Sequence, residues 1–234
     1  MNDQLIDVNY QFHICKNGNE KFDIDLQCRE IYDYHKVLWQ RKLPNGKMLH
    51  FEIRKNRGGY YLFEMNSKIR FGSDSILHTY RNYSKGKIKN LIKEFNQNDL
   101  NQFYEKLTTI GGYIIFPKHM NSLNQRRGNH SLVADRFDIT LDSIRKYYRG
   151  EKIDYPLRND LEKDREFFSW FIDFESYVSF FYLDDLVDKK SRRILFFSED
   201  KPLPTSKASY LIYKANVLSF LEKRNRRIHK EVNS

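Results

Sequence analysis

The residues of this chain best suited to chemistry fall in two stretches. The first, near the C-terminus, reads Arg224-Asn225-Arg226-Arg227-Ile228-His229-Lys230. An arginine five positions before a histidine can polarise a phosphate while the imidazole, which titrates near neutrality, exchanges a proton with a ribose 2′-OH. Arg224, Asn225 and His229 are therefore candidate catalytic residues for metal-independent RNA cleavage. So short a pattern also arises by chance in a chain rich in arginine. The competing reading is a solvated basic tail in which Arg226 and Arg227 touch nucleic-acid phosphates or nothing.

The second stretch contains Asn124, Arg126, Arg127, Gly128, Asn129 and His130. It runs into a segment of helical spacing. Glycine permits close backbone approach, unpaired N–H groups at a helix start attract anions, and two arginines add charge, so a phosphate could dock there. The structural alternative ties Arg127 to Asp135 or Asp138 in a buried ion pair. Asp135, Asp138 and Asp142 follow at spacings of three and four, which places them on one side of the helix. Together with Asp184 or Asp185 they could hold Mg²⁺ for phosphoester hydrolysis. Arg136, Arg145 and Lys146 stand close enough to neutralise the same acids. No other cofactor is expected, and Mg²⁺ enters only with the carboxylate reading. His35, His50, His78, His119 and His130 show no metal-ligand spacing. Ser73-Asp74-Ser75 has no histidine in sequence reach that would make it a nucleophile.

Elements must position these groups. Lys47–Arg54 and Gly59–Met65 are β-prone runs joined by turn chemistry at Asn56–Gly59, a hairpin that Ser67–Phe71 could extend. Leu43-Pro44-Asn45-Gly46 is a turn leading into it. Ile88–Leu107 has helical spacing, and Tyr113–Pro117, after Gly111-Gly112, is a short apolar run suited to a buried strand. Val133, Phe137, Leu141, Ile144 and Tyr148 recur with the period of one helix face, and Gly150 supplies a stop. Leu157–Phe171 and Phe174–Val187 are apolar nearly all round and belong at the centre of a bundle. Arg193–Phe197 could return to the sheet. After Pro202 and Pro204, Thr205 or Ser206 can cap a last helix whose apolar face includes Leu211, Ala215, Leu218 and Leu221.

Bulk properties bound the rest. The 234 residues carry a formal net charge of +10, and pI is near 9.4, which favours polyanionic partners. Aromatic residues form 15% of the chain, so ring packing must carry much of the core. Cys15 and Cys28 are too few for a disulfide framework and match neither a zinc motif nor a redox pair. That suits reduced thiols in the cytoplasm. Met1–Tyr10 lacks the pattern of a secretory signal. Phe167–Val187 is broken by Asp173, Glu175, Asp184 and Asp185, so it does not read as a membrane span.

Several strings occur together in an order that resembles a bacterial domain-of-unknown-function family: Thr109-Ile-Gly-Gly112, Asn124-x-x-Arg127-Gly128, Asp135-Arg-Phe-Asp-Ile-Thr-Leu141 and Arg224-Asn-Arg-Arg-Ile228. Leu43-Pro-Asn-Gly46, Phe167-Phe168 and Asp185-Leu-Val187 extend the resemblance over most of the chain. It implies no activity. The chain departs from the pattern at Tyr182-Leu-Asp-Asp185, where a glutamine is expected, and at Ser143, where a cysteine is expected, which argues against a cysteine nucleophile there. Taken together, the sequence reads as one α+β domain over 1–234, a small, largely antiparallel sheet from the first half packed on a helical bundle from the second. Nucleic acid, RNA more than DNA, is the expected partner. A phosphodiester-cleaving enzyme and a non-catalytic protein-interaction factor in mobile-element or phage conflict are the alternatives.

Overall fold

The computed structural model describes residues 6–19, 21–83, 86–118, 136–153 and 157–232. Its sheet has four antiparallel strands in the order β1-β2-β3-β4: β1 Phe51–Asn56, β2 Gly59–Glu64, β3 Arg70–Ser75 and β4 Tyr113–Pro117. The hairpin forms where the two β-prone runs and their turn residues place it, in a register from Phe51 opposite Glu64 to Asn56 opposite Gly59. β3 lies further along than the Ser67–Phe71 expectation, because its second half, Gly72-Ser73-Asp74-Ser75, is polar yet pairs fully with β4. β4 is buried throughout, as its breaker-bounded apolar run predicts.

Two short helices precede the sheet, α1 (Ile24–Gln27) and α2 (Arg29–Trp39). They lie in a stretch before Leu43 to which the sequence patterns above assign no element. In α2 the buried residues Ile31, Tyr32, His35, Leu38 and Trp39 mark one helix face, a spacing present in the sequence. This face meets the sheet through polar contacts as well as packing. Tyr32 Oη accepts the Ser73 N–H at 3.1 Å and donates to the Asp25 carbonyl at 2.7 Å. Trp39 Nε1 donates to His35 Nδ1 at 3.0 Å, which leaves Nε2 as the imidazole's donor toward Ser73 Oγ, also at 3.0 Å. Burial pushes the His35 pKa down to about 3, so the ring is neutral. Ser73 thus has a histidine partner in space, but both side chains are sealed in the core, and the imidazole donates rather than accepts. The pair holds the helix to the sheet.

The run Ile88–Leu107 divides into α3 (Gly86–Ile92) and α4 (Gln97–Leu107), the latter capped by Asn96, whose side chain accepts the Asn98 N–H. Helix α5 (Phe137–Tyr148) buries Phe137, Leu141 and Ile144 as its spacing predicts, and Gly150, at φ +64°, turns the chain out of it. Phe137 packs against Phe116 of β4, with ring centroids 6.1 Å apart. Then come α6 (Leu157–Lys163), α7 (Arg165–Phe168) and α8 (Phe174–Phe180). Their rings form a continuous aromatic cluster: Phe167, Phe171, Tyr177 and Phe181 contact one another, Phe71 of β3 touches Phe167 and Trp170, and Trp39 touches Phe180 and Phe181. Edge-to-face contacts of this kind contribute about 0.5–1.5 kcal/mol each beyond area burial.

The segment Arg193–Phe197 does not return to the sheet. It makes an isolated bridge, Ile194 with Val187. The last helix, α9 (Lys207–Val232), starts at Ser206, whose Oγ accepts the Ser209 N–H at 3.2 Å. Its expected apolar face is corrected: Leu211 is exposed and Ala215 faces outward, whereas Tyr210, Tyr213, Val217, Phe220, Leu221, Arg224 and Ile228 are buried. Counting aliphatic residues misplaced the stripe because the core side is lined by tyrosines and an arginine. Among the described residues no helix is long and apolar enough to cross a membrane.

Candidate functional site

A polar groove opens between the turn Phe12–Lys16, the loop that follows β3, and α4. It comprises two adjoining cavities of about 510 and 670 Å³ that share Lys16, Arg81, Asn82 and Tyr104. A concave site with convergent polar groups is where a ligand is best held away from water. At its centre two cations lie close to the Tyr104 ring, Arg81 Cζ at 3.6 Å and Lys16 Nζ at 4.8 Å from the centroid.

The local sequence explains how these groups are held. Phe12 is fully buried and its N–H donates to the Thr108 carbonyl at 2.7 Å, which locks the turn bearing His13 and Lys16 against the end of α4. Asn17, in the left-handed region at φ 44°, ends the turn. On the opposite wall, Tyr210 Oη and Tyr213 Oη of α9 donate to the Thr79 and His78 carbonyls at 2.7 and 2.9 Å. Tyr80 is buried at φ 59°, and its N–H donates to His78 Nδ1 at 2.7 Å. A non-glycine residue in that region costs on the order of 1 kcal/mol and persists where its surroundings over-determine it. The kink presents Arg81 to the groove, where Nη1 donates to Asn101 Oδ1 at 2.8 Å. Gln97 Nε2 donates to the same oxygen at 3.3 Å.

The groove is electrically divided. Lys16 and Arg81 mark a cationic part, and Asp23 and Asp25 line the far end of the first cavity. Burial raises the Asp23 pKa, and nearby Asp74 adds to the effect, against the N–H groups of Asp25 and Leu26 that favour the anion. His13 Nδ1 lies 3.1 Å from Thr108 Oγ1. Burial lowers the His13 pKa; Glu105 opposes this, and Lys16 and Arg81 reinforce it. Burial and Arg81 push His78 down to about 4. Such a set can bind a phosphate at the cations, stack a planar ring on Tyr104 or Arg81, and accept hydroxyl or amino protons at the carboxylates.

A family model described as a family of unknown function (DUF6994) matches residues 6–228. The chain belongs to this family. No curated protein and no solved structure matches it.

In this DUF6994 chain none of the described candidate residues singled out from sequence lines the groove. Asn124, Arg126, Arg127, Gly128, Asn129, His130 and Asp135 fall outside the described residues. Arg224 is fully buried, and its guanidinium is spent on main-chain carbonyls: Nε and Nη2 donate to Phe181 at 3.2 and 3.1 Å, and Nη1 donates to Gly111 at 2.7 Å and Tyr113 at 2.8 Å. Burial lowers its pKa to about 9. Asn225 completes the joint, accepting the Gly111 N–H at 2.8 Å and donating to Thr109 Oγ1 at 2.9 Å. A Cβ at Gly111 would overlap the Asn225 side chain, which accounts for the glycine there. His229 is exposed. As a phosphate-activating pair, Arg224 and His229 are therefore corrected: one is sealed inside, the other stands in solvent, and five helical positions set them on different sides of α9.

The other candidate residues resolve similarly. Arg226 pairs with Glu222 in solvent, and Arg227 bridges Asp184 and Asp185. Asp138 is corrected as a metal ligand; its pairing with Arg127 lies outside the described residues. It is fully buried against Arg136, whose Nε and Nη2 donate to it at 2.9 and 2.7 Å, and it also accepts the Phe197 N–H at 2.8 Å. Burial disfavours the Arg136 charge, but the hydrogen bond and charge of Asp138 prevail and hold its pKa above the usual value. Its remaining donors reach the Ser198, Asp200 and Pro202 carbonyls. Asp142 is neutralised by Arg145 and Lys146, at 3.0 and 3.2 Å. The groove residues were missed because the cations are separated by 65 positions, as Lys16 and Arg81, and no motif links them.

Cys15 and Cys28 are corrected as independent thiols. They form a disulfide, with Cα atoms 5.8 Å apart. Their 13-residue separation matches no short motif, but α1 doubles back and brings the N-cap of α2, Cys28, against the turn that carries Cys15.

Proposed function

We propose that the protein binds single-stranded nucleic acid, RNA in preference to DNA, with the groove around Tyr104 as its contact site. The supporting observation is an aromatic ring with two cations close to it, Arg81 and Lys16, in a groove rich in side-chain amides. Phosphates would meet the cations, a base would stack on Tyr104 or the Arg81 guanidinium, and Asn82 and Gln97 could pair with base edges. Asp23 and Asp25 suit the ribose hydroxyls that distinguish RNA from DNA. The formal charge of +10 would speed and strengthen the encounter. The cytoplasm, where RNA is abundant, is the compartment this reading implies.

The test is binding of a fluorescent single-stranded RNA at low ionic strength. Affinity should fall steeply with added salt as counterions are released. Tyr104→Ala should weaken it by roughly 1–3 kcal/mol, the usual contribution of one stacked base. No binding by the wild type, or unchanged binding in both Tyr104→Ala and Arg81→Ala, would remove the groove as the site; loss confined to Arg126→Ala and Arg127→Ala would move it to that loop. A second reading, RNA cleavage, is favoured by the neutral imidazole of His13 beside Lys16, Arg81 and Glu105. Cleavage in EDTA that disappears in His13→Ala is its expected signature.

A further inference from the structure

The wall of the groove that carries Lys16, Asn19, Asp23 and Asp25 is a single loop, and Cys15 and Cys28 stand at its two ends. Both ends are anchored. Cys15 belongs to the turn pinned by Phe12 to Thr108, and Cys28 is buried at the start of α2. Cys15 is half-buried and so within reach of a reagent. Glu30, exposed, sets one carboxylate oxygen 3.4 Å from the Cys15 sulfur and 3.3 Å from that of Cys28. No other group of three metal-binding or thiol side chains gathers so closely among the described residues.

We propose that Cys15 and Cys28 are a reversible thiol–disulfide pair, a modification site through which redox state sets the geometry of the groove wall. The oxidant we assign is a small-molecule disulfide. Cys15, as thiolate, attacks one of its sulfurs; the reagent's S–S bond breaks, a mixed disulfide forms, and one small thiolate leaves. Cys28 gives its proton to the Glu30 carboxylate and attacks the Cys15 sulfur, forming the internal disulfide and releasing the second small thiol. Two protein thiols are oxidised and one small disulfide is reduced to two thiols. A dithiol reductant reverses the sequence. The N-terminus of α2 favours the thiolate form of Cys28, and the negative charge of Glu30 beside both sulfurs opposes it until the carboxylate takes up the proton.

The consequence is mechanical. With the disulfide closed, the loop from Lys16 to Gln27 is held at both ends and keeps Lys16 beside Tyr104 and the aspartates at the far end. With it open, the end that carries Ile24 and Asp25 is still held, by the buried Ile24, by Asp25 Oδ2 accepting the Ser75 N–H at 3.0 Å and by the Asp25 carbonyl accepting Tyr32 Oη, so the part released is the stretch from Lys16 to Phe22. The effect on ligand rests on the nucleic-acid reading; the redox pair does not.

The experiment uses the full chain equilibrated in mixtures of reduced and oxidised glutathione. Thiol alkylation with mass spectrometry reports the fraction oxidised, and amide hydrogen exchange is followed over residues 12–28. The expected result is a complete, reversible conversion between dithiol and disulfide, with faster exchange at residues 16–22 in the reduced form. Cys28→Ser should exchange like reduced wild type in either buffer. Thiols that stay free in the most oxidising mixture, or exchange indifferent to redox state, would overturn the proposal. RNA affinity is measured on both forms in parallel: tighter binding by the oxidised form supports the link to the groove, and equal affinity overturns that link. A protein whose exchange responds while neither form binds RNA would uphold the redox pair and remove the nucleic-acid reading.

Discussion

Arg224 and Arg81 are both arginines next to an asparagine, in a chain whose net charge points to polyanions, yet they serve opposite ends. Arg224 is enclosed by α9, the turn at Gly111 and the end of α8, with its donors turned to carbonyl oxygens. Arg81 lies on a kinked loop with its guanidinium over Tyr104 at the wall of a groove. The cation-dense run Arg224–Lys230 looked like a nucleic-acid surface, but its first arginine is internal and the next two arginines are matched by Glu222, Asp184 and Asp185. The groove has fewer cations, and they are gathered around one ring. A count of basic residues reports the field at a distance, whereas recognition depends on which of them have surface left to offer.

The sharpest way to break this comparison is to remove Arg224. Arg224→Ala leaves the Phe181, Gly111 and Tyr113 carbonyls without their donors inside the core, and each unsatisfied group costs about 1–3 kcal/mol. The sum approaches the whole stability of an ordinary domain, so the variant should be insoluble or unfolded. Arg224→Lys restores the charge but not the fork, and should recover only part of the loss in a urea titration. If Arg224→Ala instead melted with wild type and lost RNA binding, the residue would belong to a site and not to the frame.

Next in size is Phe137→Ala, which opens a cavity where α5 meets Phe116 of β4 and should cost about 3–5 kcal/mol by chemical denaturation. Arg136→Ala should be of similar severity, since it strands the buried Asp138 carboxylate.

Lowering the pH should act more gently and through a different set of residues. The unfolded His35 titrates near 6.5 and the folded one near 3, so between those values the unfolded chain holds the extra proton. Stability from this group is complete above about pH 6.5 and is lost as the pH falls toward 3; His78, at about 4, adds a loss of the same sign. The urea midpoint should therefore drop between pH 7 and pH 4. Alkali works in reverse. Burial raises the pKa values of Tyr32, Tyr177, Tyr210 and Tyr213, so their contribution holds below about pH 10 and disappears as the pH climbs beyond it. The share of tyrosinate absorbance that belongs to these four buried rings should appear together with unfolding and not before it.

Much of the fold was legible because it rests on local patterns. The β1–β2 turn, the buried β4 run and the apolar period of α5 each announce their element within a dozen residues. Helix α2 was missed: Ile31, His35 and Leu38 carry the helical spacing, but the aromatic and polar composition disguised it. The face of α9 was not legible, because Tyr210, Tyr213 and Arg224 point inward and are satisfied by partners more than a hundred positions away, Thr79, His78 and Gly111. The candidate site was invisible for the same reason. Lys16, Arg81 and Tyr104 come from three separate segments, and so do the partners of the two cysteines' loop, so only the tertiary fold brings them together.

The smallest expected effects separate a cation that serves the frame from one that serves the surface. Arg226 and Glu222 form an ion pair with both side chains 73% exposed, a geometry worth at most about 1 kcal/mol, so Arg226→Ala should leave the melting curve nearly unchanged. Its removal should lower RNA affinity only as one charge among many and reduce the salt dependence slightly. Arg81→Ala is the informative partner. It gives up a hydrogen bond to Asn101 and a contact with Tyr104 at a half-buried position, which should cost about 0.5–1.5 kcal/mol of stability. Its effect on RNA binding should nevertheless exceed that of Arg226→Ala, because the guanidinium is both a phosphate partner and a stacking surface held in place by Asn101. Measured side by side at one ionic strength, the two variants differ by one arginine each and by the same charge, so long-range electrostatics cancels in the comparison. Equal losses would mean that the protein attracts RNA through its net charge alone, with no seat in the groove.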